Sequence, residues 1–315
     1  MINMYYLDEI EYKLLIHDLL PQTRQNPVDD RLRGWNWFQP PLRPYSFELQ
    51  LPIWEIAGSI CPTHRDIWIR RKLLRKKMFT TARQAEGVVI HKVVSHVFKQ
   101  AKKMIYTGDY AGLREALLSD SEKMIDNEIE YVRSMAENLD TEYLKDFAKN
   151  VAEWEILRII GRINDVKAKY PYIDEEGLVN LAVPLSLELP VDGRLLGLSS
   201  MLRVDASWLP GGLVFEIKTG YREYGHKLQI AGYALALESV YERPIDIGVI
   251  VYVGRTHDGI RVKREIFIVD DDLRSEFLER RDEIQMMLLK DKEPQPPKKC
   301  PKRCLFRRIC FGEER

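Results

Sequence analysis

The sequence predicts an α/β protein: a mixed sheet flanked by helices, with an N-terminal helical region and a C-terminal cysteine-bearing segment. Three observations predict it. Strand-like runs at 178–189, 194–208 and 213–218 precede a helical pattern at roughly 225–242 and further strand-like runs near 246–253 and 261–269. Strands, a crossover helix and more strands are the succession an α/β core requires. Helical periodicity dominates the chain before them. Finally, the four cysteines divide between the two ends of the 315 residues, Cys61 near one and Cys300, Cys304 and Cys310 near the other.

Taken in order, residues 5–20 read as an amphipathic helix. The polar, proline-rich and aromatic stretch that follows, to about residue 52, fits neither period. A helical pattern resumes from Pro52 to Lys77, interrupted at Cys61-Pro62, and 81–106 forms another helix with His91 in its first half. Between 109 and 169 lies a helical block rich in Glu, Lys and Leu that reads as an inserted lobe. Turns at Pro190 to Gly193 and at Pro210-Gly211-Gly212 separate the first strands. A charged helix at 271–291 leads through the extended EPQPPKK segment to the last cysteines. The resulting division is an extension at 1–51, cysteine and histidine helices at 52–108, a helical insertion at 109–177, a core at 178–291 and a cysteine segment at 292–315.

Hydrophobic content of 45% and charged content of 30% are globular values. The start, MINMYYLDEIEYK, carries acids where a secretory signal needs a basic head, and no apolar run approaches the roughly 18 residues of a membrane span. A soluble, cytoplasmic protein without a membrane partner is expected. There is no internal repeat and no G-x-x-x-x-G-K-[ST], so no P-loop motor. Formal net charge is zero, yet 65–77 holds seven basic residues and one acid, and 298–308 holds six and none. Both runs abut cysteines, so bringing the cysteines together would merge them into one phosphate-binding surface.

The C-x3-C-x5-C spacing plus a distant fourth cysteine suits four thiolates around an iron–sulfur cluster. A four-cysteine zinc site, two disulfides and four unrelated buried cysteines are the alternatives.

The most specific chemistry lies in RVDASWLPGGLVFEIKTG, Arg203 to Gly220. A turn centred between Pro210 and Gly211 sets Asp205 opposite Glu216 across an antiparallel pair, and Lys218 falls on the same face two residues on. Phe215 and Ile217 point the other way, into a core. Two carboxylates and an ammonium on a half-buried face need something to bind. Oxygen ligands suit Mg²⁺ or Mn²⁺, and an added imidazole favours Mn²⁺. The alternative is a solvated Asp–Lys–Glu ladder, which the next helix argues against, since Gln229 and Tyr233 share one of its faces.

Here the chain resembles a family. Asp205-x10-Glu216-Ile217-Lys218 followed by Gln229-x3-Tyr233 is similar to the PD-(D/E)xK nuclease core of the RecB-like type, and His91 matches the histidine ahead of its acidic motif. One cysteine before that core and three after it resemble the iron–sulfur branch, and LPIWEIAGSICPTHRDIWIRR resembles the opening helix of the CRISPR-associated exonucleases of the Cas-four type, in a longer archaeal variant. The resemblance covers roughly 52–106 and 178–311; the generic proline before the aspartate is absent, since Asp205 follows Val204. It implies a metal-dependent deoxyribonuclease of CRISPR adaptation, acting on single-stranded DNA or single-stranded ends beside the CRISPR integrase and other adaptation proteins. His91, Asp205, Glu216 and the carbonyl of Ile217 would hold Mn²⁺ or Mg²⁺, with Lys218 catalytic and Gln229 and Tyr233 positioning the strand. Cys61, Cys300, Cys304 and Cys310 would hold a [4Fe-4S] cluster. The rival readings are a DNA-binding scaffold of the adaptation machinery and a RecB-type repair nuclease working with a separate helicase.

Overall fold

The computed structural model describes residues 7–74, 81–110, 112–136, 138–300 and 304–312. Asp8 opens the first helix with a reciprocal capping box to Glu11, and α1 (Glu9–Leu14) runs through a π turn into α2 (Leu20–Gln25). Two short helices follow on either side of Cys61, α3 (Ile53–Gly58) and α4 (Arg65–Trp68). Thr81 caps α5 (Ala82–Tyr106), which carries His91. Then come α6 (Leu113–Arg133), α7 (Thr141–Lys169), α8 (Glu175–Ala182), β1 (Ser186–Val191), β2 (Leu202–Trp208), β3 (Leu213–Lys218), α9 (Gly225–Tyr241), β4 (Ile247–Thr256), β5 (Gly259–Ile268), α10 (Asp271–Leu289) and α11 (Arg307–Phe311). Among the described residues no helix is long and apolar enough to cross a membrane.

The strands form one sheet in the order β1-β2-β3-β4-β5; β3 and β4 are parallel, bridged by α9, and the other neighbours are antiparallel. This is the mixed, helix-flanked α/β architecture that the strand–helix–strand succession predicts. On one face Phe215, Ile217, Val249 and Val251 share a core with α5, α6, α7 and α8. On the other, Val204, Val214 and Ile250 pack against α9, α10 and the segment before α3. The block expected as an inserted lobe is therefore the cover of one sheet face: Phe147, Val151 and Ile156 of α7 belong to the same core as the strands.

Two strand expectations need correction. Residues 178–182 of the predicted strand 178–189 are helical: Asp174 accepts a bond from the Gly177 amide, and Leu178, Val179 and Ala182 bury one face of α8. A short apolar run reads equally as a strand or as a buried helix, and here the cap decides. Within 194–208 the chain first makes a 3-10 turn at Arg194–Leu196 and enters the sheet only at Leu202.

Past α2, which runs on to Gln25, the stretch to residue 52 that fits no period has 3-10 turns at Asp30–Leu32 and Gly34–Asn36 as its helical structure, yet Leu32, Leu42 and Leu51 are buried. Buried irregular backbone must find hydrogen-bond partners outside itself. One face of α10 supplies them. Arg281 donates to the carbonyls of Leu42 at 2.7 Å and Pro41 at 3.0 Å, and Gln285 donates to Ser46 at 2.9 Å and Leu49 at 2.8 Å. Arg274, fully buried, binds Glu238 of α9 through both terminal nitrogens, at 2.8 and 3.0 Å, and donates to Leu32 O at 3.2 Å. Glu238 also accepts from Arg33 and from the amides of Gly34 and Ile245. A Cβ on Gly34 would stand 2.1 Å from Leu235 O, so glycine is what lets this loop lie against α9.

The C-terminal segment returns along the Cys61 region. Thr63 donates to Gln295 O at 3.0 Å, Arg65 pairs with Glu293 at 2.5 Å and bonds Pro294 O, Lys72 pairs with Asp291 at 2.6 Å, and Phe306 is buried with the Arg70 guanidinium 5.4 Å from its ring centre.

Removing Arg274 takes from buried Glu238 its two-nitrogen guanidinium partner, leaving Arg33 alone to pair it, and frees the carbonyls that Arg274 binds. Arg274→Ala should cost about 3–5 kcal/mol of unfolding free energy, read from the urea midpoint. Glu238→Ala added to it should cost less than the two single losses together.

Candidate active site where two strands part

The β2–β3 register pairs Trp208 with Leu213, Ser207 with Val214 and Ala206 with Phe215, closed by a turn in which Gly212 takes φ +66°. One step further stand Asp205 and Glu216, and here the backbone ladder gives way to side chains. The Ile217 amide donates to Asp205 Oδ2 at 2.9 Å, and the Ile217 carbonyl accepts from His91 Nε2 at 2.8 Å. On the other side of Asp205, Glu188 of β1 takes φ +49° and drops out of the register between the Leu187–Ala206 and Leu189–Val204 pairs, so the ladder is interrupted on both sides of Asp205. The ring of His91 reaches the gap from α5, with Nδ1 3.0 Å from Asp205 Oδ1.

A carbonyl only accepts, and the carboxylate facing Nδ1 accepts too, so both ring nitrogens of His91 carry protons. Burial opposes the charged ring, but the adjacent Asp205 outweighs it and lifts the His91 pKa to about 9. Burial likewise works against the Asp205 carboxylate, and His91, Lys218 and the Ile217 amide together hold its pKa below the usual value.

Glu216 is 2% exposed and lies towards α9. Its Oε1 accepts from Lys218 Nζ at 2.6 Å and from Gln229 Nε2 at 2.7 Å, while Lys218 Nζ also donates to Gln229 Oε1 at 3.0 Å. Its Oε2 is buried with no hydrogen-bond partner. Burial and the nearby Asp205 charge push its pKa to about 7. Burial disfavours charged Lys218, yet Glu216 and Asp205 keep it protonated and raise its pKa. Tyr233, one turn after Gln229 and buried, is held well above the usual tyrosine range by burial and by Glu216.

The six motif residues and Ile217 thus meet at the carboxyl end of β3. A cavity of about 590 Å³ opens there, walled by His91 and Lys218, by Arg83 of α5, by Tyr221 and His226, and by Cys304 of the returning tail. Arg83, Tyr221 and His226 were not singled out from the sequence. His226 had a signal, lying three residues before Gln229 and so on its helix face. Its imidazole bonds the Tyr252 hydroxyl at 3.1 Å, and burial, Lys218 and Arg83 lower its pKa to about 4.

The cysteines are placed less closely. Cys61 is buried, its Sγ 3.4 Å from Thr63 Oγ1, and Cys310 lies on α11. Cys300 and Cys304 are hydrogen-bonded to each other, and burial raises the Cys304 pKa. None of the four forms a disulfide. Among the described residues no group of three or more His, Cys, Asp and Glu side chains stands close enough to hold a metal ion. Among the described residues of the first basic run three are paired internally: Arg65 and Lys72 as above, and Arg71 with buried Glu55 at 2.6 Å. Arg70 faces the cavity, while Arg75, Lys76 and Lys77 lie outside the described residues.

In chelator-treated protein the folded chain keeps a proton on Glu216 between its ordinary 4.5 and about 7, a proton that the unfolded chain releases. Stability linked to this group is therefore present at low pH and lost as pH rises through about 7. Glu216→Gln should melt like the wild type near pH 4.5 and progressively above it as pH rises to about 7, with the gain levelling off beyond, as followed by circular dichroism. Equal melting temperatures at high pH would contradict a buried, poorly compensated carboxylate.

The family model described as CRISPR-associated exonuclease Csa1 matches residues 4–313. A protein of Saccharolobus solfataricus named CRISPR-associated exonuclease Csa1 is 34% identical over 301 residues, covering 94% of this chain and 97% of the relative. One of the same name from Thermoproteus tenax is 28% identical over 289 residues, covering 90% and 91%. No solved structure matches the chain. With a match running almost from end to end, the chain belongs to the CRISPR-associated exonuclease Csa1 family.

Proposed function

We propose that this protein is a metal-dependent deoxyribonuclease of the PD-(D/E)xK, RecB-like type. It would trim DNA ends, chiefly single-stranded ones, before spacer integration, in company with the CRISPR integrase and other adaptation proteins. The relatives' shared name supplies the exonuclease class and the CRISPR context. The observation that carries the chemistry is Glu216 Oε2, a buried carboxylate oxygen without a partner, next to the Asp205–His91–Ile217 cluster.

Those groups suit a hard divalent ion. Two carboxylates, an imidazole and a backbone carbonyl are a donor set for Mn²⁺ or Mg²⁺. In their present arrangement a doubly protonated His91 bridges the carbonyl and Asp205, and loss of its Nε2 proton frees that nitrogen and the Ile217 carbonyl together. His91, Asp205, Glu216 and Ile217 O would hold the ion. A bound ion of this kind acts as a Lewis acid on the scissile phosphate and acidifies water at neutral pH.

The chain's own groups do the rest. Lys218, held between Glu216 and Gln229, presents a fixed ammonium where negative charge develops on the phosphate. Gln229 orients both Lys218 and Glu216, and buried Tyr233 closes the α9 side against water. His226, neutral at physiological pH, lines the cavity without adding charge.

Cys61, Cys300, Cys304 and Cys310 are assigned to a [4Fe-4S] cluster that clips the tail to the Cys61 segment. Two features support this: the Cys300–Cys304 contact, and the hydrogen bonds and ion pairs that already lay residues 291–295 along residues 63–72. The cluster's place is structural, since Cys304 stands in the wall of the cleft.

With Mn²⁺ the protein should degrade linear DNA, and EDTA should stop it. Asp205→Ala and Glu216→Ala should abolish cleavage. Lys218→Ala should keep DNA binding and lose roughly 10²–10³ in rate, as for one transition-state contact. Wild-type cleavage by Lys218→Ala would move the site elsewhere, and no cleavage with any metal, alone or with adaptation partners, would leave a DNA-binding scaffold. Anaerobically purified protein should carry about four irons per chain with broad absorption near 400 nm; stoichiometric zinc without iron would replace the cluster assignment.

A further inference from the structure

Three residues after Lys218 the chain puts an aromatic ring into solvent. Tyr221 is 80% exposed, in the loop between β3 and α9, and it lines the cleft that Lys218 and His91 wall. The Arg83 guanidinium lies 4.8 Å from its ring centre and also packs on Gly220, where an added Cβ would stand 2.7 Å from Nη2. Its charge also reaches the Glu86 carboxyl, where it works against the effect of burial. Arg83 thus braces the ring from one side, and the ring's high exposure leaves its other face open. An exposed apolar ring is ordinary on a protein surface; one braced by a cation at the lip of a cationic cleft is a surface prepared for a flat partner.

The ring also stands between two spaces. Beyond the cleft a second cavity of about 340 Å³ shares Arg83, Thr219, Gly220 and Tyr221 with it, and is bordered by Tyr252 and by exposed Arg261 and Lys263 of β5. A Cβ on Gly254, also on its border, would meet nothing within 4 Å, so the groove there is open. Lys218, then the braced ring, then Arg261 and Lys263 make up a cation, an aromatic platform and two further cations, the order that single-strand grooves use for phosphate, base and phosphate.

We propose that Tyr221, braced by Arg83, is a stacking subsite for one unpaired nucleobase of a DNA strand whose phosphate lies at Lys218, and that Arg261 and Lys263 hold the phosphates beyond it. This rests on the nuclease reading above and adds a reason for a single-stranded end: a base inside a duplex is already stacked and has no free face to offer.

The test measures binding in EDTA, so that its outcome is separate from whether the protein cleaves. Fluorescence anisotropy with a single-stranded oligonucleotide should show Tyr221→Ala binding roughly tenfold more weakly, within the ~1–3 kcal/mol of one base–aromatic stack. Tyr221→Phe should bind like the wild type, and blunt duplex should not distinguish the variants. Because the side chain is exposed, Tyr221→Ala should melt like the wild type. A single abasic residue is then moved along the oligonucleotide. At one position it should weaken wild-type binding by that same factor and leave Tyr221→Ala unaffected. The proposal is overturned if Tyr221→Ala binds as well as the wild type, if every abasic position costs both proteins equally, or if the wild type does not bind the strand.

Discussion

At Ile217 a carboxylate and an imidazole take the place of a neighbouring strand, and the site depends on that substitution. Had β2 stayed paired with β3 beyond Ala206 and Phe215, the Ile217 amide and carbonyl would be ladder groups. Instead Asp205 accepts from the amide and His91 donates to the carbonyl, so the strands part without leaving either group unsatisfied. The gap admits a helix side chain to the sheet interior and leaves Glu216, one residue earlier, buried against α9. The unusual ionisations of His91 and Glu216 follow from this. His91 is charged because it faces a carboxylate, and Glu216 resists ionisation because it is buried beside one.

The architecture around that gap is held by polar groups in places where apolar ones would be expected. The segment from 26 to 52 has little regular structure of its own, and Arg274, Arg281 and Gln285 on one face of α10 satisfy its carbonyls from within the core. The same segment covers α9, the helix that carries Gln229 and Tyr233. Fixing the loop thus fixes the back of the site. The tail acts similarly on the opposite wall, where Arg65, Arg71 and Lys72 are engaged with carboxylates of the protein, and Arg70 stacks on Trp54 and Phe306 beside the cleft. Within the first basic run, Arg65, Arg71 and Lys72 thus serve as internal fastening, while Arg70 is left at the cleft.

Some of this is legible in the chain and some is not, for physical reasons. Turn chemistry at Pro210-Gly211-Gly212 sets the hairpin register, and a register once set carries Asp205 to the side of Glu216, because strand geometry repeats every two residues. Helical spacing alone puts Gln229 and Tyr233 on one face. The α/β class is readable because periodicity is a local property. The split of 178–189 between helix and strand is not readable, since an apolar run of that length satisfies either period until a cap such as Asp174 is seen bonding the Gly177 amide. Residues 26–52 are opaque because their hydrogen-bond partners lie more than two hundred residues away on α10.

By itself the sequence determined the class of fold, the hairpin and the residue types that converge on it, because these follow from spacing over a few residues. Only the tertiary structure decided where the strands part, that His91 bridges Asp205 and the Ile217 carbonyl, that Glu216 keeps one oxygen unpaired, and that Arg83 braces Tyr221 at the lip of the cleft. Those features depend on which groups are left without partners once the sheet and helices have packed, and a spacing pattern carries no record of that.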